Sequence, residues 1–437
     1  MFHLGWFVGS GYGIQSWRDM WSGIGEKEWM KPDLYVDMAR SLERAGFDYM
    51  MFEDGLLVPD TYEGSMRQYL GGPMESPRND PTALIGIIGQ HTKRIGLIPT
   101  MSTSFYPPFM AARMMATLDH LCDGRAGANL VTSSSHGAAM NFGLDSHMEH
   151  DERYVKAGEW VDVVSQLLGS WEPDAVVNDK ENGIWADHTK VHHIDFEGKY
   201  FKSRGPLNTP PGPQGRPVIC QAGGSGAGRD FAAKHADTIV AIPLGLEAMK
   251  EYREDISRRM ISFGRDPKDC KVMYLVNPFI SDTERSARET HEMHLAARQS
   301  EDFLHMALAT MSYFSGIDFA KFDLDKPMPD LTGKVNGHQS NMDRYAKDGE
   351  GGKTLRELAL GQDVLESLQL VGTPDSVAEQ MGEAMDYVGG DGFLLASPID
   401  RRNVATIADG LVPALRKRGL VRDEYEFEHF KDNLLAF

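Results

Sequence analysis

Short apolar runs alternate with amphipathic stretches along most of the chain, the order expected when each parallel strand is followed by the helix that covers it. Runs at 2–8 (FHLGWFV), 47–53 (FDYMMFE), 95–101 (IGLIPTM), 126–132 (AGANLVT), 217–222 (PVICQA), 237–242 (DTIVAI), 272–280 (VMYLVNPFI) and 391–396 (DGFLLA) read as eight strands. They are near-continuously apolar, as strands covered by helices must be, so the pattern predicts an α/β fold closed as a (β/α)8 TIM barrel. Helices are equally legible. In DLYVDMARSLERA (33–45) the side chains of Leu34, Met38, Ala39, Leu42 and Ala45 share a face, and Gly46 supplies the stop. Thr373-Pro374 is a cap followed by proline at the first helical position, which starts a helix over 375–387. Two segments break the alternation, 171–216 and 313–352, both polar and rich in turn residues. They are expected to be irregular excursions from one domain spanning 1–437, both serving as lids.

Charge and cysteine content narrow the function classes. The 437 residues carry 45 basic and 64 acidic side chains, a net charge of −19 spread along the chain. Nucleic-acid binding rests on a basic face, so that class is set aside, and an anionic ligand would need a local site working against the global field. Cys122, Cys220 and Cys270 are far apart with no CxxC spacing, which fits a reducing, cytoplasmic setting. The start, MFHLGWFVGSGYG, lacks a basic n-region, and no window approaches the roughly 18 apolar residues of a membrane span. Histidines at 147/150 and 188/192/193 have neither the spacing nor the cysteine partners of a zinc site, so no metal is expected.

In such a barrel the chemistry gathers just past the C-terminal ends of the strands. Those positions hold Glu53-Asp54-Gly55, Ser102-Thr103-Ser104, Thr132 through His136, and Gln221 through Ser225. GGSGAGR (223–229) lies between a strand and a helix, where glycines let backbone N–H groups approach a phosphate and the helix adds its positive end. Ser225 adds a donor there and Arg229 a charge; a tight βα turn accounts for the same glycines. HDERY (150–154) opens a helix and sets His150 and Tyr154 on one face, suited to a phosphate or to simple packing. Trp6, Trp17, Trp21 and Trp29 cluster near the exit of the first strand, where they are core or pocket wall.

Seven segments together carry a resemblance. They are SLERAGFDYMMFEDG (41–55), TSFYPPFMAARMMATLDHLCDGR (103–125), NFGLDSHMEHDERYVKAGEWVDVV (141–164), EGKYFKSRGPLNTPPGPQGRPVICQAGGSGAGRDFAAKHAD (197–237), VGTPDSVAEQM (371–381), GGDGFLL (389–395) and LVPALRKRGL (411–420). In these the chain resembles the bacterial-luciferase-like flavin-dependent monooxygenases, in the subgroup of nitrilotriacetate, dibenzothiophene-sulfone and long-chain alkane monooxygenases. The resemblance implies an enzyme that receives reduced FMN from a separate NAD(P)H:flavin reductase. It implies oxygenation of a small organic substrate, sulfur-containing or partly aromatic, through a flavin C4a-(hydro)peroxide. Carried over, the FMN contacts are Asp54, Thr103, Thr132, His150, Tyr154 and Ser225, with the last three around the phosphate. Trp17, Tyr62 and Tyr106 become the substrate wall, and a homodimer or homotetramer is implied. His136, just past the fourth strand, is the candidate for proton transfer. Where relatives carry tryptophan before the asparagine of the fourth strand, this chain has Ala128-Asn129, so space is expected beside the pocket unless neighbours repack. Two other readings stay open: a deazaflavin-dependent hydride-transfer enzyme on the same fold, and a flavin-binding protein without catalysis.

Overall fold

Eight strands close on themselves in chain order: β1 (His3–Val8), β2 (Tyr49–Phe52), β3 (Gly96–Ser102), β4 (Gly127–Val131), β5 (Val218–Gln221), β6 (Thr238–Ala241), β7 (Lys271–Val276) and β8 (Gly392–Leu395). Every neighbouring pair is parallel, and β1 pairs with both β2 and β8. This computed structural model describes residues 1–16, 27–72, 74–328, 352–361 and 366–437. The expected TIM barrel is therefore observed, each strand lying within a residue or two of its predicted run, with one exception. The run at 272–280 leaves the barrel at Val276, and Phe279–Ile280 pairs instead with Val371–Gly372. Pro278 lies between them and has no N–H to donate to a ladder, which explains the break.

Alternation along the strands sorts the core into two layers. Phe7, Tyr49, Met51, Ile98, Val218, Cys220, Val240, Met273, Leu275 and Leu394 fill the barrel interior. The intervening residues, such as Trp6, Met50, Leu97, Leu130, Ile219 and Phe393, face the helices. The predicted helix at the first crossover is α1 (Asp33–Arg44), ending at Gly46 with φ 80°. It is followed by α2 (Pro81–His91), α3 (Pro108–Leu121), α4 (His136–Asn141), α5 (His150–Leu168) and α6 (Gly226–His235). Then come α7 (Glu301–Ser315) and α8 (Pro374–Val388), the latter capped by Thr373 as expected. The last helix, α9 (Phe430–Leu434), has a role that sequence reasoning did not assign. Phe430 and Leu434 belong to the interior cluster and stopper the floor of the barrel, where a Cβ on Gly96 would meet the Phe430 ring at 2.5 Å.

The excursion at 171–216 is not wholly irregular. It holds two short hairpins, Val176–Asp179 with Ile184–Ala186 and Phe196–Glu197 with Lys202–Ser203. Glu159 of α5 ties the second one down by accepting the backbone N–H groups of Lys199, Tyr200 and Phe201. The excursion at 313–352 begins inside α7, and the lid expected there lies largely outside the described residues. A small second core joins α7 to the segment after β2 through Tyr62, Tyr69, Leu304, Leu308 and Met311. Among the described residues no helix is long and apolar enough to cross a membrane.

Candidate functional site

Where β5 gives way to α6 the backbone folds unusually tightly. Ser225 is the N-cap of α6, its Oγ accepting from Gly228 N at 3.1 Å. A Cβ on Gly223 would lie 2.5 Å from Gln221 Oε1 and 2.7 Å from the Gly228 backbone. A Cβ on Gly228 would lie 2.9 Å from Tyr154 Oη and 3.1 Å from Ser225 Oγ. Glycine is needed at both positions for close approach, not for a special φ. The phenol of Tyr154, arriving from the first turns of α5, is thereby seated against the N-terminus of α6. Burial raises its pKa, opposed by hydrogen bonds from the side chains of Ser225, Thr132 and Gln221, so it remains a protonated donor. His150 stands one turn earlier, its ring centroid 5.3 Å from that of Tyr154, with Nδ1 2.7 Å from Asp151 Oδ1. Two helix N-termini, a phenol, a hydroxyl and an imidazole thus converge, a combination suited to a phosphate. Arg229 does not join them as expected. Its Nε donates to Gly224 O at 3.1 Å, Nη1 pairs with Asp255 at 3.0 Å, and the guanidinium lies over the Tyr252 ring.

The ends of β3 and β4 build the adjoining wall. Three successive carbonyls past β4 are each held by a side chain. Thr103 Oγ1 donates to Val131 O (3.2 Å), Ser104 Oγ to Thr132 O (2.7 Å), and His147 Nε2 lies 3.3 Å from Ser133 O. His147 Nδ1 accepts from Met148 N at 3.1 Å, so the ring proton is on Nε2. Ser133 is left-handed (φ 51°), and its Oγ meets Ser102 Oγ at 2.8 Å. A serine in that conformation stores strain that the surrounding hydrogen bonds must hold. Thr103 is buried and acts here behind the wall, whereas the Thr132 side chain reaches Tyr154. Inside the barrel, Asn129 donates Nδ2 to Thr100 Oγ1 at 2.9 Å while its Oδ1 is buried with no partner among the described residues; Gln221 Oε1, at the helix-facing parity of β5 and beside the Gly223 turn, likewise has none. Sequence reasoning missed Asn129 and His147. Asn129 was visible as a polar residue at an inward register; His147 had no local signal.

Asp54 lies apart from the cradle, at the end of β2. Its Oδ1 accepts from Gly55 N at 2.9 Å, and burial pushes the carboxyl up to about 7. Tyr106 is near enough to feel Asp54 and Asp80, and burial with those charges takes its phenol up to about 12. Tyr62 is packed within the small second core, its Oη 2.8 Å from His305 Nδ1. His136 is exposed at the first position of α4 and makes no hydrogen bond among the described residues. Trp17 falls outside the described residues. Ala128 corrects the expectation of extra room by the pocket. It is fully buried on the helix-facing side of β4, so the methyl in place of a ring lies in the outer packing and not at the mouth. Among the described residues no group of three or more His, Cys, Asp or Glu side chains is placed to hold a metal.

A closed parallel barrel whose strand ends gather a phenol, hydroxyls, an imidazole and two helix N-termini has the architecture of barrel enzymes that work at the C-terminal ends of their strands. Residues 13–392 match the luciferase-like monooxygenase family, and the chain belongs to that family. It is 34% identical to the N-acetyl-S-(2-succino)cysteine monooxygenase of Bacillus subtilis (strain 168), over 98% of this chain and 96% of the relative. It is 32% identical to nitrilotriacetate monooxygenase component A of Aminobacter aminovorans, over 92% of this chain and 89% of the relative. The crystal structure of a riboflavin lyase with modified FMN and riboflavin superposes with a TM-score of 0.89 at 29% identity, covering 100% of this chain and 96% of that one. The protein is a flavin-dependent monooxygenase of the luciferase-like type.

Proposed function

We propose that the chain is the oxygenase of a two-component system: it takes reduced FMN from a separate flavin reductase and inserts one atom of O2 into a small, sulfur-containing organic substrate. The observation that carries this reading is the close approach of Tyr154, Ser225 and Gly228, together with the buried acceptors of Asn129 and Gln221 that have no partner among the described residues. The name of one relative, component A, supports a partner reductase, and the thioether in the name of another supports the substrate class. Reduced FMN, when bound, supplies the electron pair by which one oxygen atom enters the substrate and the other leaves as water.

The residues do the rest. His150, Tyr154 and Ser225 hold the phosphate, and Thr132 extends the donor row along the chain that links phosphate to ring. Asn129 offers an acceptor toward the barrel mouth, Gln221 stands beside Tyr154, and Thr103 and the strained turn at Ser133 back the wall. Asp54 holds a proton near neutral pH at the far edge. Tyr62 and Tyr106 wall the substrate side and exclude water. His136, exposed at the rim, exchanges the proton with solvent. An anaerobic titration with reduced FMN, followed by O2 and a thioether, tests the reading. Tight binding with one labelled oxygen atom in the product is expected. Binding without product would instead favour a flavin carrier, and hydride transfer to a deazaflavin without O2 uptake would favour the other enzyme class. An unchanged rate in His136→Ala would remove that residue's role.

A further inference from the structure

Between the loops that follow β1 and β2 lies a charged group that the cofactor does not use. Arg78 sits in a two-residue ladder with Tyr12–Gly13 and sends its guanidinium inward. Its Nη2 donates to Gly9 O at 3.2 Å and lies 3.1 Å from Glu75 Oε2 and 3.4 Å from Glu53 Oε2. The side chain is only 4% exposed, yet Nε and Nη1 have no hydrogen-bond partner. A buried donor left unpaired is costly, and more so when it carries a charge. An oxygen acceptor is what this geometry lacks.

Gly55 stands beside that guanidinium. An added Cβ there would lie 3.5 Å from Nη1, 3.7 Å from Glu75 O and 3.8 Å from Glu75 Oε2, at ordinary contact distance. Gly55 has no left-handed φ, so its backbone does not demand glycine; what the missing side chain leaves is a methyl-sized gap next to Nη1. Glu53, on the same hollow, keeps 32% of its side chain accessible although burial dominates its titration, as expected of a group lining an internal recess.

We propose that Arg78 is the anion anchor of the substrate site, its free N–H groups receiving a carboxylate or sulfonate that the substrate presents over Gly55. This rests on the reading of the barrel mouth as the place of reaction. The neighbouring carboxyls do not forbid it. Burial pushes Glu53 up to about 8, so that carboxyl holds its proton near neutral pH, and burial shifts Glu75 in the same direction. A protonated carboxyl donates a hydrogen bond to an oxyanion where an ionised one would repel it. Arg78 stays charged whatever the state of those carboxyls, because a guanidinium does not give up its proton in a protein.

The test is calorimetric titration of the full chain at pH 7 with succinate and methanesulfonate, against succinamide and dimethyl sulfone. Succinate and methanesulfonate are expected to bind and the uncharged probes to bind at least tenfold more weakly. Arg78→Gln should lower the affinity for both anions at least tenfold. Gly55→Ala, whose methyl makes only ordinary contacts, should do the same while leaving the melting temperature in place. Equal binding of succinamide, retention of succinate binding in Gly55→Ala, or no anion binding by the parent chain overturns the proposal. FMN titration of the same samples separates the two readings: loss of the anion effect with FMN binding intact refutes the anchor alone, and anion binding without FMN binding refutes the oxygenase reading.

Discussion

Gly228→Ala is the substitution on which the cofactor reading is most exposed. Gly228 sits in the first turn of α6 with ordinary helical backbone, so alanine gains up to about 1 kcal/mol of helix propensity. Its Cβ, however, would stand 2.9 Å from Tyr154 Oη and 3.1 Å from both Ser225 Oγ and Gly223 Cα. The phenol must withdraw by several tenths of an ångström, and the methyl takes the space between the two hydroxyls. One hydrogen bond to a charged phosphate is worth about 1.5–3 kcal/mol, which corresponds to a loss of about 10–150-fold in affinity. Fold stability should move by less than about 1 kcal/mol, since the helix gain offsets the crowding. The assay is fluorescence titration with FMN beside riboflavin, with a thermal melt of each protein. Riboflavin has no phosphate, so its affinity should change less than threefold. If FMN affinity also holds within threefold, or if riboflavin loses as much as FMN, the residues around Gly228 do not cradle a phosphate.

Phe430→Ala should cost about 3–5 kcal/mol in chemical denaturation, because it unplugs the barrel floor against Gly96 and Gly127; a cost under 1 kcal/mol would mean that α9 caps nothing. Asp54 titrates at about 7 in the folded protein against an ordinary 3.8, so between those values the native state holds the extra proton and stability falls as pH rises, levelling off above about 7. Asp54→Asn should abolish that fall and gain about 1–2 kcal/mol at pH 8, a value reduced for the side chain's partial solvent access; denaturation at pH 5 and pH 8 gives the difference, and an unchanged slope would contradict the assignment. His147 is held neutral, its pKa pushed down to about 4 by burial and then by Arg153, so its donation to Ser133 O should survive to about pH 5. His147→Phe keeps a ring against Phe105 but no donor and should weaken FMN binding about fivefold, the equivalent of about 1 kcal/mol, with His147→Gln recovering part; equal affinity in all three would leave the Ser133 turn without a positioning role.

What the chain discloses about itself follows from which forces act locally. Strand runs such as 126–132 and 237–242 are readable because burial on both faces leaves no polar position to blur them, and the break after Val276 was readable in principle from Pro278. The cradle was half legible. GGSGAGR and the His150–Tyr154 spacing each indicate an anion site, but only closure of the barrel brings Tyr154 against Ser225, 71 positions along the chain by their numbering. Arg229 misled because a charge beside a glycine-rich turn looks available until Asp255 and Tyr252, from another helix, claim it.

Strand parity explains the remaining successes and failures, and it gives a rule for the site. Ile98 and Val218 face inward, so Thr100 and Asn129, each at the matching parity, must face inward as well, while Ala128 must face the helices. A one-residue difference in position therefore decides whether the departure at Ala128 touches the substrate or only the outer packing. Polar groups buried at inward parity near the mouth are costly unless paired, and Asn129 Oδ1, which has no partner among the described residues, is the acceptor that the oxygenase proposal assigns to the cofactor. Arg78 obeys the same logic without belonging to any barrel strand: its free donors are tolerable only if an acceptor arrives from outside. Two sets of unmet hydrogen bonds thus remain among the described residues, acceptors such as Asn129 Oδ1 and donors on Arg78, and under the two proposals the first go to the flavin and the second to the substrate.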